Sequence, residues 1–342
     1  MTRARAARRL AGAAAVGSGG LGLLGGSVYA VMRLQAAYAR RVIGRATTPP
    51  PVADGTYGSQ RGDRALRLLV VGDSSAAGYG MDDPSDTPPA MLASGLSHIA
   101  GRPVQVTSTA QVGARSSDLQ RQLDRGLATR PDVVVMVIGA NDVTHRVRPS
   151  ESVRLLAAAV RRLRAGDIPV VVGTCPDLGT LRPLAQPLRE LARRWSRRLA
   201  AAQTIAVVEA GGRSVSLGSL LGPTFAMAPG ELFGPDRFHP SMAGYAGMVT
   251  ALLPSVAAAV GAWDDDDESG AAHPADALVL PVSFAAVEAS VYEGTEVAAT
   301  QVCGRDRGPR GRWARLQRRV RRTGAVPPVT DPTDERVTAH RR

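Results

Sequence analysis

The chain has 342 residues, 44% hydrophobic and 21% charged, which is enough apolar material for a packed core and excludes a disordered or collagen-like polymer. Two cysteines (Cys175 and Cys303) and five scattered histidines with no His-x-x-x-His or Cys-x-x-Cys spacing exclude a disulfide framework and point away from a protein metal centre. The net charge of +12 sits in the two ends, +8 in residues 1–45 and +8 in 304–342, leaving 46–303 at −4, so no nucleic-acid partner is expected from the globular part.

The chain opens with four arginines in nine residues, followed by an uncharged run from Leu10 to Met32 and then Arg33. As a helix those residues span roughly 35 Å, enough to cross a hydrocarbon core. The run is expected to be a single-pass membrane anchor within a basic segment 1–45. The alternative is a cleaved signal peptide with Val28-Tyr29-Ala30 as its small-residue site. Arginines flank the run on both sides, so the positive-inside rule does not orient it. Residues 46–64, with three consecutive prolines, read as a linker.

From Leu66 onward, apolar runs alternate with amphipathic stretches. Strands are expected at 66–71, 104–108, 133–138, 168–173 and 205–209. Helices are expected at about 89–100, 117–128, 152–165, 188–202 and 242–260. Continuous apolar strands between amphipathic helices predict a five-stranded parallel sheet covered on both faces, a three-layer α/β/α sandwich over 65–262. Beyond it, Asp264-Asp265-Asp266-Asp267-Glu268 forms an acidic hinge. Residues 276–303 have room for one or two small elements, and an Arg-rich tail closes a 263–342 extension that reads as partly disordered.

In such a sheet, ligands bind at the carboxyl ends of the strands. Gly72-Asp73-Ser74-Ser75-Ala76-Ala77-Gly78 follows the first strand, Gln111-Val112-Gly113-Ala114-Arg115 the second, and Gly139-Ala140-Asn141-Asp142 the third. Asp236-Arg237-Phe238-His239-Pro240 precedes the last helix. Taken singly, each has a plain structural reading: a helix-capping serine, an asparagine in a turn, a loop glycine, a surface Asp-x-x-His. The first segment lacks the Gly-Lys-Ser/Thr ending of a phosphate loop and the Gly-x-Gly-x-x-Gly pattern. It is their joint occurrence, in this order and at these strand ends, that is specific.

In that combination the sequence resembles the GDSL family, also called SGNH hydrolases, over roughly residues 66–260. Ser74, Gly113, Asn141 and His239 match the four block residues, and Asp236 matches the aspartate three residues before the histidine. Ser75 stands where the family name has leucine. The resemblance implies a flavodoxin-like sandwich and a serine esterase that hydrolyses carboxylic esters through an acyl-enzyme. A serine hydroxyl needs an adjacent base to become a nucleophile, a role that suits His239, with Asp236 fixing its tautomer. The resemblance assigns the oxyanion hole to the N–H groups of Ser74 and Gly113 and the side-chain amide of Asn141. The triad order Ser…Asp…His is that of the α/β-hydrolases, yet no Gly-x-Ser-x-Gly elbow is present. Asp73 and Asp142 are expected to hold loops and Cys175 to be a small buried residue; His145, four residues beyond Asn141, is not expected to take part in the site.

No cofactor or metal is implied. The expected partners are a small-molecule, glycolipid or polysaccharide ester and a membrane reached through the N-terminal helix, with the catalytic part extracytoplasmic. Tyr79–Ala93 is polar and Pro-rich, which predicts a shallow, open cleft suited to short acyl groups or to acyl groups on sugars and envelope lipids. An acyltransferase using the same acyl-enzyme and a non-catalytic envelope-binding protein on the same fold remain the alternatives.

Overall fold

The computed structural model describes residues 26–44, 48–58 and 64–262, together with the backbone of three short strands further on. The first helix, α1, covers residues 26–43. Its seven residues up to Met32 belong to the expected anchor, and the rest of that run lies outside the described residues. Next come β1 (Gly55–Tyr57), β2 (Leu66–Gly72), the one-turn α2 (Ser74–Ala77), α3 (Pro88–Ala100), β3 (Val104–Ser108), α4 (Leu119–Gly126), β4 (Val133–Val137), α5 (Ala140–Thr144), α6 (Pro149–Ala165) and β5 (Val170–Gly173). They are followed by α7 (Leu188–Glu209), β6 (Arg213–Val215), α8 (Leu217–Met227), α9 (Pro229–Leu232) and α10 (Met242–Ala259). The backbone of β7 (Leu280–Pro281), β8 (Thr300–Val302) and β9 (Arg305–Arg307) pairs into a separate small sheet. The acidic hinge and the Arg-rich tail beyond residue 307 lie outside the described residues.

The main sheet runs β1-β3-β2-β4-β5-β6, with β1 antiparallel to β3 and every other pair parallel. The sheet therefore has five parallel strands, the expected number, four of them where they were expected, and residues 55–57 of the segment read as linker add an antiparallel edge. Alternate side chains divide between two cores. Leu68, Val70, Val135 and Val171 pack with Leu92 and Leu96 of α3 and Tyr245 and Leu252 of α10. On the opposite face, Leu69, Val71, Val134 and Met136 pack with Leu123 of α4, Leu156 and Val160 of α6, and Val207 of α7. Both faces are covered by helices, as the unbroken apolar strands require.

One expected strand is overturned. Residues 205–209 form the last turns of α7, and the fifth parallel strand is Arg213–Val215. A short apolar run reads equally as strand or buried helix. Here the buried positions Leu199, Ala200, Gln203, Ala206 and Val207 keep helical spacing to the end. Gly211, at φ +86°, then makes the turn into the strand. Among the described residues one helix, α10, is long and apolar enough to cross a membrane, and it is a core helix, with Tyr245, Leu252 and Val256 fully buried.

Candidate active site

The site is built where β2 and β4 end. Gly72 closes β2 at φ +144°, and a Cβ there would fall 2.0 Å from the carbonyl oxygen of Val137, so only glycine fits the strand crossing. Its N–H donates to Gln122 Oε1 (2.8 Å), and its carbonyl accepts from Gln122 Nε2 (2.9 Å). One buried glutamine of α4 thus satisfies both backbone groups where the ladder stops. Asp73 then caps α2, its Oδ1 accepting from the N–H of Ser75 (2.9 Å). Ser74 becomes the first residue of that helix, where its N–H has no intrahelical acceptor.

The second part is the turn between Phe233 and Pro240, closed by Gly234 N–H donating to the His239 carbonyl (2.8 Å). Asp236 organises it. Oδ1 accepts from the N–H groups of Phe238 and His239, both at 2.9 Å, and Oδ2 lies 2.5 Å from His239 Nδ1. Burial raises the carboxyl pKa of Asp236, but the His239 and backbone hydrogen bonds outweigh it and hold the group below the usual carboxylate range. An ionised carboxylate only accepts, so the Nδ1 facing it carries the proton. That leaves Nε2 as an acceptor, 3.1 Å from Ser74 Oγ. The ring of Tyr79 packs on the imidazole at 4.4 Å between centroids, and Phe238 meets it edge-on at 4.8 Å. The buried Tyr245 hydroxyl donates to the Tyr79 carbonyl (2.8 Å), fixing that wall to the core.

Gly113 and Asn141 complete the group. Gln111 N–H donates to the Gly72 carbonyl (3.0 Å), and Asn141 Nδ2 donates to the Ala114 carbonyl (3.0 Å). The Gly113 turn is thus tied to the end of β2 on one side and to α5 on the other. One amide hydrogen of Asn141 is spent on this tie and the second is left over. Gly113 sits at φ +80°, and a Cβ there would meet nothing within 4 Å. Its positive φ is what demands glycine, rather than crowding from the protein.

The remaining candidates are structural. The Asp142 carboxylate accepts from the Ser116 hydroxyl (2.7 Å) and backbone N–H and from Ser152 Oγ (3.1 Å), pinning α5 to α6. Burial raises the Asp73 carboxyl to about 6, against the Ser75 N–H bond and the charge of His239. His145 is exposed, with Nδ1 2.9 Å from the Asn141 carbonyl. His98 is exposed on α3. Cys175 is buried, and burial pushes its thiol well above the ordinary range; Cys303 lies outside the described residues. Sequence reasoning missed Gln122 and Gln203. The latter accepts from Cys175 N–H (2.8 Å) and donates to the Ile138 carbonyl (3.1 Å) beside Gly139. A polar residue at a buried helical spacing, as in Leu119-x-x-Gln122-Leu123, is the signal that would have found them.

The model of the GDSL-like lipase/acylhydrolase family matches residues 70–246, half of the chain. The chain belongs to this family. It is 42% identical to the GDSL-like esterase Rv1075c of Mycobacterium tuberculosis over 248 residues, 69% of this chain and 78% of that protein. Similar solved structures include the acetylxylan esterase Axe2 of Geobacillus stearothermophilus, at 19% identity and TM-score 0.44 over 57% of this chain and 94% of that one. TesA is 26% identical at TM-score 0.42, over 57% and 98%. The GDSL-family chain is accordingly a carboxylic ester hydrolase.

Beside the Ser74 site, this GDSL hydrolase has an apolar cavity of about 80 Å³. Ser75, Val137, Ala140, Phe238, Leu178, Leu221, Phe225 and Met248 are among the residues that line it. The shallow open cleft expected from Tyr79–Ala93 is therefore incomplete as a description. That segment supplies none of the cavity walls, to which residues 176–181 and α8 contribute most.

Proposed function

We propose that this GDSL hydrolase cleaves short-chain carboxylic esters through an acyl-enzyme on Ser74. His239 Nε2 takes the proton of Ser74 Oγ as that oxygen bonds to the ester carbonyl carbon. The carbonyl electron pair moves onto oxygen, where the N–H groups of Ser74 and Gly113 and the second amide hydrogen of Asn141 receive it. As the tetrahedral centre collapses, the C–O bond to the alcohol breaks and the imidazolium returns its proton to the leaving alkoxide. Water then repeats the sequence on the acyl-enzyme with His239 again as base. Asp236 stays ionised, orients the ring and stabilises the imidazolium. The observation that carries this reading is the unbroken chain Asp236–His239–Ser74, with the serine at the head of a one-turn helix.

The cavity supports a short acyl group. At about 80 Å³ it has roughly half the volume, about 150 Å³, of an apolar cavity that takes up benzene. We further propose that residues 10–32 anchor the chain in a membrane and that 65–262 is the catalytic domain outside it, which would make envelope esters the natural substrates. The test is turnover of p-nitrophenyl acetate and butyrate by the full chain beside Ser74→Ala. Loss of turnover in a variant that keeps the wild-type unfolding midpoint supports the assignment. Turnover equal to wild type would overturn it.

A further inference from the structure

One aromatic residue that no motif names touches both ends of the proton relay. Tyr79 follows α2 and stands between Gly78 and Gly80, whose φ angles of +78° and +91° suit glycine alone among common residues. A Cβ at Gly78 would fall 2.7 Å from Thr87 Cβ and 2.9 Å from Pro88 Cδ, so the turn is wedged against the start of α3. Tyr79 belongs to neither of the two cores. Its ring is therefore not there to fill the interior.

Three contacts leave this residue, each to a different part of the site. Its N–H donates to the Ser74 carbonyl (3.0 Å), which holds the backbone that carries the nucleophile. Its carbonyl accepts from the Tyr245 hydroxyl (2.8 Å). Tyr245 is fully buried in the first turn of α10, the helix that starts three residues after His239. The Tyr79 ring lies on the His239 imidazole, 4.4 Å between centroids at 53°, while Phe238 stands edge-on to the same imidazole. Nucleophile and base are 165 residues apart in sequence, and Tyr79 bridges them.

The imidazole is aimed by two in-plane hydrogen bonds, Nδ1 to Asp236 Oδ2 and Nε2 to Ser74 Oγ. Rotation about its Cβ–Cγ bond breaks both, and a ring packed on the imidazole opposes that rotation. An aromatic ring also attracts a neighbouring cation more than a neutral group, so the contact strengthens as the imidazole gains the serine proton. Both effects act when the imidazolium forms, and neither touches the ester. They fall on kcat rather than KM.

We propose that Tyr79 is a positioning residue of this hydrolase: its backbone holds the nucleophile, its ring holds the base, and the Tyr245 hydroxyl clamps it to α10. The inference rests on the esterase reading above, and one arm of its test is independent of turnover.

Tyr79→Phe, Tyr79→Leu, Tyr245→Phe and the Tyr79→Leu/Tyr245→Phe double variant are made in the full chain, and kcat and KM are measured on p-nitrophenyl butyrate. Tyr79→Leu is expected to lower kcat by about ten- to hundredfold, the scale of a small misplacement of a reacting group, with KM unchanged. Tyr79→Phe keeps the ring and is expected to keep the wild-type kcat. Tyr245→Phe is expected to cost several-fold in kcat alone and little in the Tyr79→Leu background, because both act through one clamp. If Tyr79→Leu lacks the wild-type unfolding midpoint, Tyr79→Met takes its place. The second readout is the far-downfield proton resonance of His239 Nδ1–H, assigned by its loss in His239→Gln. It should persist in wild type and Tyr79→Phe and broaden by exchange with water in Tyr79→Leu. A wild-type kcat in Tyr79→Leu, a loss carried by KM, or an equal loss in Tyr79→Phe overturns the proposal. So does a resonance as sharp in Tyr79→Leu as in wild type, or absent from wild type. Equal factors for Tyr245→Phe in both backgrounds refute the clamp. No turnover by wild type refutes the esterase reading instead and leaves the resonance to decide the positioning.

Discussion

Replacing Asp236 with asparagine isolates one atom of the site. The Oδ1 that accepts from the N–H groups of Phe238 and His239 survives in the amide, so the turn from Phe233 to Pro240 keeps its internal hydrogen bonds. What changes is the atom facing Nδ1, which becomes an NH2 donor where an accepting oxygen stood. The imidazole must then present Nδ1 as its acceptor and carry its proton on Nε2, which faces Ser74 Oγ at 3.1 Å. In that tautomer His239 cannot take the serine proton, and the imidazolium also loses its counter-charge. The corresponding substitution in a serine protease triad lowers kcat by about 10⁴, equivalent to about 5 kcal/mol of barrier, and a loss of that order is expected here with little change in KM. Asp236→Ala removes the backbone acceptor as well. It is expected to lose similar activity and additionally about 1–3 kcal/mol of stability for the two N–H groups left without a partner. The assay is the pH dependence of kcat/KM on p-nitrophenyl butyrate, with urea unfolding of each variant alongside. An asparagine variant that folds like wild type and retains activity within tenfold would refute the reasoning, because the tautomer would then not depend on Oδ2.

Asn141→Ala should lower kcat by about 10²–10³ through loss of one oxyanion donor, measured with the same ester. Its tie to the Ala114 carbonyl is partly exposed, so a change in unfolding midpoint should be small. Gly222 lines the cavity, and a Cβ there meets only ordinary contacts with Asp177 at 3.6 and 3.8 Å. Gly222→Leu is therefore expected to fill the cavity and lower the butyrate-to-acetate ratio of kcat/KM; an unchanged ratio would separate the cavity from acyl binding. Asp73, raised by burial to about 6, binds its proton more tightly folded than unfolded. Its contribution to stability is full below the unfolded pKa and is lost as pH rises through about 6. Relative to wild type, Asp73→Asn, which keeps a capping oxygen, should gain stability between about pH 4 and 6, by an amount on the order of 3 kcal/mol. Urea titrations at three pH values would show it, and parallel pH profiles for the two proteins would refute the burial argument.

The sequence by itself determined the layers and named residues that the structure brings together at the ends of β2 and β4. Unbroken apolar runs such as 133–137 are satisfied by a sheet covered on both faces, and chemistry-bearing residues gathered after those runs mark the candidate site. Ser74, Gly113, Asn141, Asp236 and His239 were legible because each follows or precedes a recognisable element at a fixed offset. The run at 205–209 was misread because apolar character is shared by a buried helix end and a strand; only the packing of Val207 against the sheet selects the helix. Gln122 and Gln203 carry no chemistry of their own and gain a role only when the fold brings the ends of β2 and β4 within hydrogen-bonding reach. The same holds for the apolar cavity, whose walls come from segments more than a hundred residues apart in sequence. Local chemistry is written residue by residue, whereas which backbone groups, walls and faces are left to be satisfied is decided by long-range contacts.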